Sequence, residues 1–319
     1  TDGNGTTYQA TIPLSEPTKP VYFETTYPEL LELGRAVKSV KDELGFSIRY
    51  NNLVIDANGV ILSVPLNNSN KLGHKPLDIP PPPPCNVRAV LDAYTYVQNH
   101  NATDWGRLGL RGVLCDVECK KLVASDGYCI VNADFASGGF TEKSIIPPAA
   151  FSILKRLYKL DKDGTTIQAG TEYVTIQGAG VTYRQACITE QYTEWNKVYW
   201  GEQESKSSGV LDVSTLYNVV KQMLPMTYGI SNALVIDVSD NKLVLWTGKA
   251  QQETTSPTTG EAVRFIVDAK YLLSLLKNLK QAKVKEVEFF IRETTTGVLF
   301  KCEKAIYMLM PLSENPYKH

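Results

Sequence analysis

Apolar residues recur at i, i+3, i+4 and i+7 in five stretches of the chain. Val87, Val90, Leu91 and Tyr94 make one; Ala150, Ile153, Leu154 and Leu157 another; then Leu216, Val219, Val220 and Met223, and Leu272, Leu275, Leu276 and Leu279. The fifth is Leu30, Leu33 and Val37, with Gly34 in the third place. One apolar stripe at this spacing predicts an amphipathic helix that buries a single face. Start signals agree: Pro28 and Pro148 suit a first helical turn, and Asp212 and Asp268 suit N-caps. Between the stripes the pattern becomes β-like, as in Phe46 to Ile55 followed by Val60 to Val64, or Val174 to Ile176 followed by Val181 to Ile188. Asn58-Gly59, Asp163-Gly164 and Thr296-Gly297 predict turns between strands, and Gly178-Ala179-Gly180 reads as a turn rather than a nucleotide-binding loop.

The order of elements repeats. One helix and then about three strands make a half-unit, and two half-units recur with a period of roughly 120 residues, long enough for each copy to enclose its own core. A short turn marks the period: Thr1-Asp2-Gly3, Ser125-Asp126-Gly127 and Trp246-Thr247-Gly248. Asp before Gly satisfies its own backbone, so Asp126 is expected to shape a turn and not to act as a catalytic carboxylate. Pro80 to Pro84 form an extended connector, and the polar run Gly201 to Gly209 forms a second break. The expected domains are therefore 1–84, a partial copy, then 85–206 and 207–319. Antiparallel strands with helices gathered on one face give an α+β layered fold.

With 319 residues, 43% of them hydrophobic and 21% charged, the chain has material for two or three cores. No apolar run reaches the roughly 18 residues that span a bilayer, and no signal peptide is recognisable, so no membrane partner is expected. The absence of an initiator Met and the start at a turn predict further sequence upstream. Cys85, Cys115, Cys119, Cys129, Cys187 and Cys302 include no CxxC pair, and reduced thiols in the cytoplasm are expected. Cys115 and Cys119 would share a face of one strand, without two further ligands for a metal. His74, His100 and His319 stand far apart, and there is no HExxH, Walker A loop or GxGxxG after a strand. Neither an enzyme nor a cofactor is expected.

A net charge of −1 excludes a uniformly basic surface but allows a basic face balanced elsewhere. The predicted helices carry one: Arg35, Lys38 and Lys41; Lys155, Arg156 and Lys159; Lys221; and Lys277, Lys280 and Lys283. Acidic residues are sparse beside them. On a shared face these groups would suit phosphates contacted without base reading.

Five segments resemble one family in order and spacing. Val123-Ala124-Ser125-Asp126-Gly127-Tyr128-Cys129-Ile130 is similar to the ATDGHRL segment in the middle domain of bacterial sliding clamps, the beta subunit of the replicative DNA polymerase. Leu110-Arg111-Gly112-Val113-Leu114 resembles that family's LNGxL strand. Ser144-Ile145-Ile146-Pro147-Pro148 resembles its VIVP helix entry, Tyr192 to Val198 its FPDYRRV linker, and Tyr307-Met308-Leu309-Met310-Pro311-Leu312 its YVVMPM ending. The resemblance covers residues 85 to 312. Residues 1 to 84 look like the end of the first half-unit and the whole second half-unit of the family's first domain, whose opening βαβ segment has no counterpart here. The final Arg-Leu of the family is replaced by Ser313 to His319.

The resemblance implies a DNA-clamp fold with helices on an inner face and sheets on an outer face. It further implies a processivity factor that encircles duplex DNA and closes as a head-to-tail homodimer. Polymerase and clamp loader would bind through short linear peptides. Carried over by position, the peptide pocket comprises Leu110, Ser125, Gly127, Tyr128, Cys129, Ile130, Thr193, Lys197, Val198, Met308, Met310, Pro311 and Leu312. Leu110, Ile130, Val198, Met308, Met310 and Leu312 would converge in an exposed apolar cleft. Tyr128 and Cys129 stand where the family has imidazole and basic side chains. The ring seam would bring Val60 and Leu62, on an edge strand from Gly59 to Pro65, against Met223 and Leu224 of another copy. The alternative is a clamp-like interaction scaffold, such as a transcription coactivator, that does not encircle DNA.

Overall fold

Four of the five apolar stripes are α-helices in the computed structural model: α1 (Val87–Val97), α2 (Pro148–Leu160), α3 (Val213–Met223) and α4 (Ala269–Gln281). The structure describes residues 7–10, 44–50, 52–57, 60–65, 85–136, 138–227 and 232–313. The stripe at Leu30, Leu33 and Val37, its Pro28 start, the five-proline run, the Thr1-Asp2-Gly3 and Asn58-Gly59 turns, and Arg35, Lys38 and Lys41 lie outside the described residues. Helices α2, α3 and α4 start at the residues expected, and α1 at an Asn cap not named from sequence. Asp212 accepts from Thr215 N–H at 2.6 Å, Asp268 from Lys270 N–H at 2.7 Å, and Asn86 from Ala89 N–H at 3.0 Å. Helix α2 has no side-chain cap and begins at Pro148, where a missing N–H costs nothing.

The chain divides into two compact units, Thr1–Pro82 with Gly180–Ala186, and Pro83–Ala179 with Cys187–His319. In the first, β1 (Thr7–Ala10) pairs antiparallel with β11 (Val181–Ala186). Strands β2 (Gly45–Arg49), β3 (Asn52–Ala57) and β4 (Val60–Pro65) form an antiparallel sheet with β3 in the middle. The β-like run Phe46 to Ile55 is thus two strands, because Tyr50 turns the chain with a left-handed φ of 48°.

The second unit is built around one antiparallel sheet of nine strands. From the middle repeat come β5 (Val113–Asp116), β6 (Lys121–Ser125), β7 (Cys129–Asp134) and β8 (Ser144–Ile146). From the last repeat come β12 (Ser207–Asp212), β16 (Thr258–Gly260), β18 (Glu286–Ile291), β19 (Val298–Cys302) and β20 (Ala305–Leu309). The order is β16-β12-β18-β19-β20-β7-β6-β5-β8, so β7 and β20 join the two repeats, with Met308 opposite Ile130. The polar run Gly201 to Gly209 is therefore more than a break: its second half is the start of β12, whose backbone pairs with β18 on one side and β16 on the other. Hairpin β9 (Thr166–Ala169) and β10 (Tyr173–Gly178) completes the middle repeat. A four-stranded sheet holds the rest of the last one: β13 (Ala233–Ser239), β14 (Lys242–Trp246), β15 (Gln251–Thr255) and β17 (Val263–Asp268), ordered β15-β14-β13-β17. Asp163-Gly164 connects α2 to β9, not two strands, while Thr296-Gly297 lies between β18 and β19 as expected.

The turn that marks the repeat is closed in the same way in both described copies. Asp126 N–H donates to Cys129 O at 3.2 Å, and Thr247 N–H donates to Ala250 O at 2.8 Å. Asp126 Oδ1 accepts from the N–H groups of Tyr128 and Cys129, both at 2.8 Å, and Thr247 Oγ1 accepts from those of Lys249 and Ala250 at 3.3 and 3.1 Å. A short oxygen-bearing side chain that reaches its own backbone explains why Asp and Thr share the position.

The helices pack side by side in the order α2, α1, α4, α3, with α1 on β6 and β7, α4 on β17 and β20, α3 on β12, and α2 on β10. Tyr94 of α1 stacks on Phe151 of α2 with centroids 4.3 Å apart. Between α1 and α4 the contact is polar: Asn278 Nδ2 donates to Tyr96 O at 3.0 Å and to Gln98 O at 2.6 Å, and Tyr307 Oη donates to the same Tyr96 carbonyl at 2.9 Å. These bonds close the C-terminus of α1, whose last carbonyls have no intrahelical donor. His100 is buried beside them, edge-on to Tyr307 with centroids 5.9 Å apart.

Candidate functional site

Helices α2, α3 and α4 contain no Asp or Glu, and carry Lys155, Arg156, Lys159, Lys221, Lys270, Lys277 and Lys280. All seven are exposed, as is Lys283 just past α4. Among the described residues none of these eight takes part in an ion pair, unlike Arg88 of α1, which faces Asp92 one turn on at 3.9 Å. Four of the seven lie on the adjacent pair α3 and α4, and three on α2, which is separated from that pair by α1 with its Arg88–Asp92 pair; like charges gathered in this way repel, and a polyanion beside them would relieve that repulsion. Two are brought together by an aromatic ring. Lys280 Nζ lies 4.6 Å from the centroid of Tyr217 and Lys221 Nζ lies 5.9 Å from it.

A second feature occupies the other face of the nine-stranded sheet. Strand alternation turns Ile130 and Met308 away from the helices and Cys129, Val131, Tyr307 and Leu309 towards them. On the outward face Leu114, Val123, Ile130, Ile145, Leu299 and Met308 form one apolar cluster with Tyr192 and Trp195, and Leu110, Tyr199 and Trp200 pack against it. The aromatic residues come from the segment that follows β11, which crosses the seam between the repeats. Three hydrogen bonds fasten it: Trp195 Nε1 to Asp116 at 3.0 Å, Tyr199 Oη to Ile306 O at 3.4 Å and Trp200 Nε1 to Gly297 O at 3.0 Å. Asp116 is buried. Burial pushes its carboxyl up, but the Cys119 N–H, the Trp195 indole and the Lys143 ammonium at 3.3 Å outweigh it and hold it below the usual carboxylate value. Gly297 leaves room for methionine, since a Cβ there would collide with Met308 and crowd Met310.

Beside this cluster stands a polar and aromatic stack. Arg107 Nη1 donates to Asp126 O at 2.6 Å, its guanidinium lies 5.3 Å from the Tyr128 ring centroid, and Tyr128 stacks on Tyr271 of α4 at 5.6 Å. Gly127 has φ of +88°, and a Cβ at that position would strike the Arg107 guanidinium. Met310 N–H donates to Tyr128 O at 2.9 Å, which brings the end of β20 to the turn.

Of the residues carried over as a peptide pocket, Leu110, Ile130 and Met308 meet in the outward cluster, and Ser125, Gly127 and Tyr128 meet in the turn beside it. Tyr128, at 52% exposure, and Met310, at 41%, present apolar surface to solvent. Val198, Thr193 and Lys197 are exposed on the aromatic segment, Lys197 paired with Glu194. Three expectations change. Ile130 and Met308 are buried, because they pack within the outward apolar cluster and do not line an open cleft. Cys129 is buried on the helix side, and burial pushes its thiol well up. The N–H of half-buried Leu312 donates to Ile266 O at 2.8 Å, which draws that residue along β17. Trp200, Gly297, Arg107 and Tyr271 were not named from sequence. Trp200 is the one with a local signal, as the second aromatic of the Tyr199-Trp200 pair just after the linker motif.

The residues expected at the ring seam differ in exposure. Ile61 is 66% exposed on β4 while Leu62 is half-buried, so alternation presents Ile61 rather than Leu62 to solvent; the side chain of Val60 lies outside the described residues. Met223 is buried in the α3 stripe, Leu224 is half-buried, and the exposed apolar side chain near this helix end is Met226. Cys115 and Cys119 do not share a strand: Cys115 is buried in β5, and Cys119 lies exposed in the following turn. All six cysteines are free, and no group of three or more His, Cys, Asp or Glu among the described residues could hold a metal ion. Among the described residues no helix is long and apolar enough to cross a membrane.

Repeated helix-and-antiparallel-strand units with a basic helix layer on one side and an apolar cluster at a repeat junction on the other have the fold of the bacterial DNA sliding clamps. The likeness extends along almost the whole chain. It superposes on the DNA polymerase III beta subunit of Thermotoga maritima with a TM-score of 0.79 and 15% identity, covering 98% of this chain and 86% of that one. For a DNA polymerase sliding clamp of Pseudomonas aeruginosa with ligand the TM-score is 0.81 at 15% identity, covering 98% and 87%. For a putative DNA polymerase III beta subunit of Eubacterium rectale it is 0.76 at 12%, covering 89% and 80%. No protein-family model and no curated protein sequence matches the chain.

Proposed function

We propose that this protein is a non-enzymatic sliding clamp, a processivity factor that encircles duplex DNA and tethers a polymerase and other replication or repair proteins. The observation that carries the reading is the helix layer: of its four helices, three carry seven exposed cations and no acid, on a chain with net charge −1. Such a surface attracts phosphates without fixing a register, and a topological tether needs no more than that. In this reading the chain has three clamp domains, at 1–84, 85–206 and 207–319, and acts in the cytoplasm. Two copies close head to tail by pairing edge strands, with Ile61 of β4 in place of Leu62 and with Met226 beside Leu224 at the opposing end.

The outward cluster is the docking site for short peptides of polymerase and clamp loader. Its accessible rim is Tyr128, Val198, Met310 and Pro311, with the Arg107 guanidinium beside Tyr128. Its floor is Leu110, Ile130, Met308 and the two tryptophans. Methionine suits a surface that accepts several partner sequences, because its unbranched thioether repacks easily. The deciding experiment is retention on DNA. Protein loaded on a nicked circle should stay bound through gel filtration in moderate salt and leave when the circle is linearised. Equal loss from circle and linear duplex would exclude encirclement and favour an interaction scaffold.

A further inference from the structure

Tyr217 lies on α3 one turn before Lys221, and α4 brings Lys280 across to the same ring. The ring is half-buried, while both lysines are exposed and neither has a carboxylate partner among the described residues. Two like charges on flexible stems would ordinarily spread apart in solvent. Here the negative face of one aromatic ring draws both to a common point, and an ammonium over a ring keeps N–H groups free to donate outwards. Lysine loses rotamer freedom when it engages a phosphate, so a pair already gathered begins with part of that entropy spent.

We propose that Tyr217 is a positioning residue that gathers Lys221 and Lys280 into one two-cation contact for a nucleic-acid phosphodiester. This rests on the clamp reading, which supplies the duplex, and goes beyond it by naming a place on the helix layer where two cations are pre-arranged. Among the described residues, Lys155, Arg156 and Lys159 on α2 have no such ring contact. The proposal predicts that charge at α3 and α4 works through an uncharged side chain.

The test compares the parent with Tyr217→Phe, Tyr217→Leu and Lys221→Gln/Lys280→Gln, by fluorescence anisotropy of a labelled duplex over a range of salt. The double lysine variant should lower the slope of log K against log salt by about 2, one for each phosphate no longer neutralised. Tyr217→Phe keeps the ring face and should bind as the parent does. Tyr217→Leu keeps the bulk but not the quadrupole, and should lose about fivefold in affinity at low salt with a slope shallower by about 1. A Leu variant equal to the parent, or a Phe variant as weak as the Leu variant while both melt as the parent does, overturns the positioning role. Failure of the parent itself to bind duplex overturns the clamp reading as well, which separates the two outcomes.

Discussion

The Tyr96 carbonyl at the end of α1 accepts from two side chains, Asn278 of α4 and Tyr307 of β20, and this arrangement predicts a non-additive pair of substitutions. Tyr307→Phe removes one donor and leaves Tyr96 O bonded to Asn278, so its cost should be that of an ordinary buried hydrogen bond, about 1 kcal/mol. Asn278→Ala removes two bonds. Tyr96 O keeps Tyr307, but Gln98 O loses its side-chain donor. Gln98 is half-buried, so water reaches it, and Asn278 Oδ1 has no partner to lose. Together these place Asn278→Ala at about 1 to 2 kcal/mol, the lower part of the range for a lost partner. In the double variant Tyr96 O has no donor at all, since the His100 N–H four residues on bonds to Val97 O. An orphaned buried carbonyl adds about 1 to 3 kcal/mol, which should appear as coupling between the two sites. Urea unfolding of all four proteins, with midpoints compared at a common m-value, measures it. Additivity within about 0.5 kcal/mol would mean that water or a shifted donor satisfies Tyr96 O, and that the side chains do not share it.

Burial holds His100 at a pKa of about 4, below its ordinary 6.5, so the unfolded chain binds the extra proton first and stability should fall as pH drops from about 6.5 towards 4. His100→Phe should flatten the dependence of Tm on pH across that window. Met310→Ala should weaken binding of a clamp-type peptide by about 1 to 2 kcal/mol with little change in Tm, because the side chain is partly exposed, whereas Met308→Ala should cost about 2 to 5 kcal/mol of stability; calorimetric titration and melting separate the two. Gly127→Ala combines a left-handed backbone with a clash against Arg107, and should destabilise by at least about 1 kcal/mol. A smaller loss in an Arg107→Ala background would locate the clash. Replacing Lys155, Lys159, Lys277 and Lys280 by Glu should shorten retention on circular duplex at low salt and leave the circular dichroism unchanged.

Helices were the most legible part of this chain, because a stripe such as Leu272, Leu275, Leu276 and Leu279 needs only its own sequence to define a buried face. Local turn chemistry was legible for the same reason at Asp126 and at the Asp212 and Asp268 caps. The start of β12 was not. Ser207, Ser208 and Gly209 have low strand propensity, and they are held extended by ladders to β16 and β18, which are distant in sequence. The family motif located the turn, the linker and the end of β20, but it carried side-chain roles across without their depth. Motif position alone does not report that Cys129 alternates inwards or that Met308 is buried in the outward cluster. At β4 the sequence did not report that Leu62 is half-buried while Ile61 is exposed, since strand faces alternate with every residue.

The position of β20 bears on how the protein is made. It is the last strand of the described chain and yet lies in the interior of the nine-stranded sheet, between β19 and β7. During synthesis every other strand of that sheet leaves the ribosome before it. Until it arrives, β7 and β19 each present an unpaired row of backbone groups flanked by apolar residues, and the two repeats lack their sheet junction. The nascent chain therefore passes through a stage with two adhesive edges open at once, and completes its sheet only when Ala305–Leu309 have left the ribosome. Truncation before Ala305 should leave that stage permanent and yield aggregates instead of a shortened folded protein.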